Sequence, residues 1–172
     1  MFKKERLYLR DEFSKDKIYL MGESWGSAFG VFLVSKKPEY YQGMIGTGQM
    51  VDFKHTEIMD YEKAIEIAKT KGNEKLIEKL MKQGKPPYYD GNIALLSFSY
   101  LSYLSQFMSD NPEIHGGYHT IRDIFSSEYG IMDSINYFYG LMATFNVVYP
   151  QLYEIDLRED YTELNVPIYF FI

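Results

Sequence analysis

The 172-residue sequence predicts an α/β fold, a small parallel sheet interrupted by a large helical insertion. Three observations carry this. Residues 17–47 read strand, helix, strand, the spacing of a βαβ unit with a right-handed crossover. Residues 166–172, Val-Pro-Ile-Tyr-Phe-Phe-Ile, are the β-branched and aromatic run of a buried strand. Between them, roughly 100 residues repeat apolar side chains at helical spacing.

The elements follow in order. Phe2, Leu7, Leu9 and Phe13 stand among charges and predict a short amphipathic helix. Lys17–Met21 is an apolar run ending at Gly22, a buried strand. Ser27–Ser35 is apolar with small residues. Two lysines in its last turn, Lys36 and Lys37, and the following Pro38 are a helix stop. Tyr40–Thr47 returns to strand. After Asp52 the period changes to that of helices, with Tyr61, Ala64, Ile65 and Ala68 on one and, past the Gly72-Asn73 break, Leu76, Ile77, Leu80 and Met81 on the next. Residues 83–87, Gln-Gly-Lys-Pro-Pro, are a linker. Ile93–Met108 and Met132–Val148 predict further helices, with a shorter one near Thr120–Ser127. The expected division is a partial core over 1–52, a helical segment over 53–160 and a core strand over 161–172.

Composition narrows the function. Lys plus Arg is 18 and Asp plus Glu is 24, a net charge of −6, which argues against a nucleic-acid partner. At 46% hydrophobic and 24% charged the chain is globular rather than disordered. With no cysteine it has no disulfide, no thiolate metal site and no cysteine nucleophile. Seventeen Tyr, twelve Phe and one Trp suggest a wide apolar surface, a pocket or an interface. A long uncharged stretch, Gly91–Ser109, carries Asn92, Gln106 and five serines, so it reads as a buried helix and not as a membrane span. The charged opening residues do not resemble a signal peptide, and the expected compartment is the cytoplasm.

Gly22-Glu23-Ser24-Trp25-Gly26 fits G-x-S-x-G. Between a strand and a helix this spacing places the serine at the apex of a sharp turn, with glycines on either side to permit close passage. The helix N-terminus and the Trp25 backbone N–H would then favour the oxyanion that forms on attack by Ser24. The other reading is a structural turn in which Ser24 caps the helix.

Residues 17–27, Lys-Ile-Tyr-Leu-Met-Gly-Glu-Ser-Trp-Gly-Ser, resemble the nucleophile elbow of capped α/β-hydrolases similar to proline iminopeptidases. Lys36-Lys37-Pro38-Glu39-Tyr40 resembles that family's helix exit, and the helices before Val166 match the position of its lid. The resemblance implies a partial α/β-hydrolase fold, Ser24 as nucleophile and the Trp25 N–H in the oxyanion hole. It implies a small peptide or ester substrate and no cofactor. In that family the order is Ser, acid, His, and several strands precede the elbow. Here about twenty residues precede Ser24, and no position matches the acid or the histidine. The resemblance therefore implies an internal fragment, elbow plus lid, in which an unactivated serine is a poor nucleophile.

Other candidates are weaker. His115 and His119 are four apart, but Gly116-Gly117 intervenes and the Glu of H-E-x-x-H is missing, so no metal site is expected. These two and His55 read as loop or surface histidines rather than stand-in bases. Glu154, Asp156, Glu159 and Asp160 read as a solvated acidic face, with cation binding the sharper alternative. Gly43, Gly46 and Gly48 imitate a phosphate loop, but Val51 stands at its third glycine and a strand-end turn is expected. Tyr100, Tyr103, Phe107, Tyr137, Phe138, Tyr139 and Phe145 are expected to be mostly packing, some lining a pocket.

Two functions remain. One is a serine hydrolase, aminopeptidase-like or esterase-like, with its base supplied from elsewhere. The other is a non-catalytic truncated or split-gene product. Its three strands leave long apolar edges open, so a homo-oligomer through unpaired strands is expected.

Overall fold

The computed structural model describes residues 8–107 and 129–171, which form two compact units: one from the stretch up to Asp52 together with Asp156 onward, the other from Phe53–Ile155. The protein is α/β, a three-stranded parallel sheet with helices. The expected helix over 120–127 lies outside the described residues.

In the sheet unit, residues 8–12 are helical. They are followed by β1 (Ile18–Glu23), α1 (Trp25–Lys36), a 3-10 turn at Pro38–Tyr40 and β2 (Tyr41–Thr47). After the helical unit the chain returns through β3 (Ile168–Phe171). The order is β1-β2-β3, all parallel, with Leu20 opposite Met44 and Met44 opposite Ile168. Ala28, Val31 and Val34 of α1 are buried, as are Met44 and Tyr41 of β2. A methyl built on Gly30 would strike the Met44 terminal carbon at 2.5 Å, so α1 lies against the face that carries Leu20 and Met44. The opposite face carries Tyr19, Met21, Tyr169 and Phe171, each more than half exposed.

In the helical unit, α2 (Phe53–Thr70), α3 (Glu74–Gln83), α4 (Ile93–Leu104) and α5 (Ile131–Leu152) follow one another, a 3-10 turn at Ser105–Phe107 extending α4. Asn73 and Asn92 cap α3 and α4 by accepting the N–H of Leu76 and of Leu95. The core gathers Tyr61, Ala64, Leu80, Tyr88, Ile93 and Tyr100. Its tyrosines bring their own partners: Tyr61 donates to the Leu80 carbonyl at 2.8 Å, and Tyr88 to the Gly84 carbonyl at 2.6 Å. The α5 helix runs past the expected Val148 through Pro150 to Leu152. Back in the sheet unit, α6 (Leu157–Asp160) is a single turn capped by Asp156, too short to show a helical period in the sequence. Among the described residues no helix is long and apolar enough to cross a membrane.

Within the sheet unit the backbones of β1 and α1 approach closely at Gly22. A methyl on Gly22 would sit 2.4 Å from the Gly26 carbonyl oxygen and 2.9 Å from the Ser27 Cα, both backbone atoms that cannot step aside. A methyl on Gly26 would meet nothing within 4 Å. Gly22→Ala is therefore expected to destabilise the chain by about 1–3 kcal/mol through overpacking. Gly26→Ala, in a helix with open space, is expected to be neutral or stabilising by up to about 1 kcal/mol. Urea denaturation of the two variants separates them, and equal behaviour would contradict the close approach at Gly22.

Candidate active site

Ser24 stands between the last residue of β1 and the first of α1 with φ 54° and ψ −128°, a backbone conformation that an L-residue adopts at a cost. The turn forces it. β1 ends at Glu23, in register with Thr47, while the Ser24 N–H still donates to the Thr47 carbonyl at 3.0 Å. One residue later α1 begins, pressed against Gly22. A single residue must reverse the chain, and it does so at positive φ. Ser24 is exposed and its side chain makes no capping hydrogen bond to α1. The hydroxyl is thus not engaged as the capping reading requires. Trp25 is the first residue of α1, so its N–H has no carbonyl four residues back to receive it and belongs to the positive end of the helix. Its indole is exposed. Of the two motif glycines, Gly22 is required by contact. The expectation that Gly26 also permits close passage is corrected, because a methyl there would meet nothing within 4 Å.

Ser27, one turn into α1, is fully buried. Its hydroxyl donates to the Ser24 carbonyl at 2.5 Å and accepts the Met50 N–H at 3.1 Å. The loop after β2 is thereby fastened to the turn. Gln49 holds the same loop from its other side, its amide donating to the Met50 carbonyl at 2.8 Å. The Met50 thioether lies 3.9 Å from the Ser24 hydroxyl. Neither Ser27 nor Met50 announces this in the sequence, because both contacts depend on β2 lying beside β1.

The remaining candidates are dispersed. His55 is an exposed residue in the first turn of α2, in the helical unit, and His115 and His119 lie outside the described residues. Among the described residues no three His, Asp or Glu side chains are grouped to hold a metal ion. The acidic residues before β3 are partly engaged. Arg158 pairs with Asp156 at 2.6 Å and with Asp52 at 2.5 Å, and this pairing holds the Asp156 carboxyl below the usual carboxylate range. Gly43 and Gly46 lie within β2, and Gly48, at φ 52°, turns the chain out of it. The aromatic set is a correction. Tyr100 is fully buried, but Phe107, Tyr137, Phe138 and Tyr139 are exposed. On α5 only Ser134 is buried, since that helix packs through its Phe145–Tyr149 end and the described residues supply no layer over the rest.

One ionisable group escaped the sequence reading. Glu57 of α2 is buried at 2% exposure and accepts the hydroxyls of Ser97, at 3.3 Å, and of Tyr100. Burial pushes its carboxyl up to about 7, the two hydroxyls pull it down in part, and neighbouring Asp60 adds to the rise. Burial and the Glu57 charge together push Tyr100 and Tyr149 up, and Tyr153 up to about 12. The signal was spacing: Glu57 continues the buried stripe Tyr61, Ala64, Ala68 by one turn toward the N-terminus.

Two outcomes follow from this geometry. Ser24→Gly, which removes the penalty for positive φ, is expected to stabilise the chain by about 1 kcal/mol in denaturation, and a loss of stability would contradict the strained turn. Glu57 in the folded chain keeps a proton that the unfolded chain, with its usual value of 4.5, releases. Its contribution is therefore full below about pH 4.5, is lost as pH rises to about 7, and is flat above, a change on the order of 3 kcal/mol. Hydrogen exchange of α2 and α4 amides across that range should show the slope, and Glu57→Gln should remove it.

Comparison with known proteins gives one likeness to set beside the site. The chain is 23% identical over 163 residues to a protein of Bacillus subtilis (strain 168) named "Probable aminopeptidase YbaC". The alignment takes in 95% of this chain and 51% of that protein, so the chain spans about half the length of the curated relative it matches. No family model matches the chain, and no solved structure matches it significantly.

Proposed function

We propose that the chain carries the nucleophile of a serine hydrolase, aminopeptidase-like or esterase-like, built on part of an α/β-hydrolase fold. The observation that carries this reading is Ser24 itself: positive φ at a strand-to-helix apex, a hydroxyl in solvent and no capping bond to the helix behind it. Strain of this kind persists where the surroundings over-determine it, and such residues cluster at reactive sites. The likeness to a protein named as an aminopeptidase supports the same chemistry.

In this reading the Ser24 oxygen attacks an amide or ester carbonyl while a histidine takes the hydroxyl proton. The carbonyl oxygen becomes an oxyanion facing the Trp25 N–H and the N-terminus of α1. The proton then passes to the departing amine or alcohol, and water releases the acyl group. No position of the sequence matches the histidine of the resembling family, so we assign the base to none of His55, His115 and His119. We assign it, with its acid partner, to polypeptide beyond this chain, consistent with a relative about twice as long. The helical unit serves as the lid, and small peptides with an unblocked N-terminus are the proposed substrates.

A second reading rests on a different observation. Tyr19, Met21, Tyr169 and Phe171 form an exposed apolar sheet face, and β1 and β3 are edge strands. Parallel sheets are ordinarily covered on both faces, and self-association would cover this one.

Intact mass after exposure to a fluorophosphonate, with light scattering on the same sample, tests both. One adduct per chain, lost in Ser24→Ala while circular dichroism is unchanged, is the outcome expected when a base reaches Ser24. No adduct on a longer polypeptide that includes the flanking sequence would overturn the hydrolase reading. A monomer at all concentrations would overturn self-association.

A further inference from the structure

Resting on the hydrolase reading, we propose that Met50 is the specificity-determining residue of the site, the side chain that limits the breadth of whatever group approaches Ser24 from the side of the loop after β2. Its sulfur is 3.9 Å from the Ser24 hydroxyl, van der Waals contact and at best a weak acceptor for that O–H.

What distinguishes Met50 from a chance neighbour is how its backbone is held. Its N–H donates to the buried Ser27 hydroxyl, and that hydroxyl in turn donates to the Ser24 carbonyl. Its carbonyl accepts from the Gln49 amide. Gln49 can fold back because position 46 has no side chain: a methyl on Gly46 would lie 2.5 Å from the Gln49 side-chain oxygen, Oε1. Both polar groups of the Met50 backbone are therefore tied, the N–H through the Ser27 hydroxyl to the backbone carbonyl of Ser24, the residue whose hydroxyl the thioether touches. The backbone is fixed while the unbranched side chain keeps three rotatable bonds. A narrow group beside the scissile carbonyl fits next to such a wall. A broad one must displace the thioether.

The sequence contains no cysteine, so Ser24→Cys places a single thiol at the reacting position. Alkylation rates of this variant with iodoacetamide and with a biphenyl maleimide, at one pH, give a broad-to-narrow ratio that needs no catalytic base. Adding Met50→Ala is expected to raise that ratio by about tenfold, in keeping with what a few methylenes in a pocket discriminate. Adding Met50→Leu, of similar volume, should leave it nearly unchanged. Should Met50→Ala not fold, Met50→Val carries the same test with a smaller rise. An unchanged ratio in a folded variant overturns the proposal. Phosphonate labelling of wild-type Ser24 is read separately, so failure of the hydrolase reading appears there, and failure of the Met50 assignment appears in the alkylation ratio.

Discussion

The sheet unit is governed by how closely α1 lies against β1. At Gly22 the two backbones approach so far that even a methyl would overlap the Gly26 carbonyl and the Ser27 Cα. That proximity leaves one residue, Ser24, to turn the strand into the helix, and a one-residue turn of this kind requires positive φ. The exposure of its hydroxyl, the position of the Trp25 N–H at the helix start and the burial of Ser27 one turn later follow from the same geometry. Ser27 then extends the constraint to the neighbouring strand, since its hydroxyl joins the Ser24 carbonyl to the Met50 N–H. Pairing of β1 with β2 is thus as necessary to the site as the motif.

The helical unit is organised differently. Its core is built from tyrosines as much as from aliphatic side chains, and each buried hydroxyl needs a partner. Tyr61 and Tyr88 find backbone carbonyls, while Tyr100 finds the carboxyl of Glu57. Burying a carboxyl costs more than these bonds return to its charged form, so its proton affinity rises into the neutral range. Protonation there is set by the burial and the hydroxyl partners that the surrounding helices supply.

Both units present apolar surface. In one it is the sheet face of Tyr19, Met21, Tyr169 and Phe171, and in the other the exposed aromatics of α5. Surfaces of this kind on a parallel sheet and on a long helix ordinarily meet a further layer. The sheet alternation that exposes one face is the one that turns Leu20 and the buried Met44 to the other, so the two faces have the same origin in register.

Much of the architecture was legible in the sequence because it depends on local periodicity and local stops. The apolar run before Gly22 gave β1, the Lys-Lys-Pro exit bounded α1, and β-branched and aromatic composition gave β3. G-x-S-x-G located the turn, since its geometry depends on residues close in sequence. Contact across distant segments was not legible. Gly22 and Gly26 look equivalent in the motif, and only the packing of α1 on β1 makes one of them indispensable. Glu57 shows the same spacing as the buried tyrosines, yet a carboxyl on such a stripe reads as surface until Ser97 and Tyr100 are brought to it. The aromatics of α5 share one composition, and whether a ring is core or surface depends on which neighbours cover it. Met50 touches Ser24 across 26 positions of sequence through the register of two strands. The sequence by itself determined where the chain turns and which hydroxyl stands at the turn. The tertiary structure decided what stands beside that hydroxyl, because pairing between strands brings together residues that no local pattern relates.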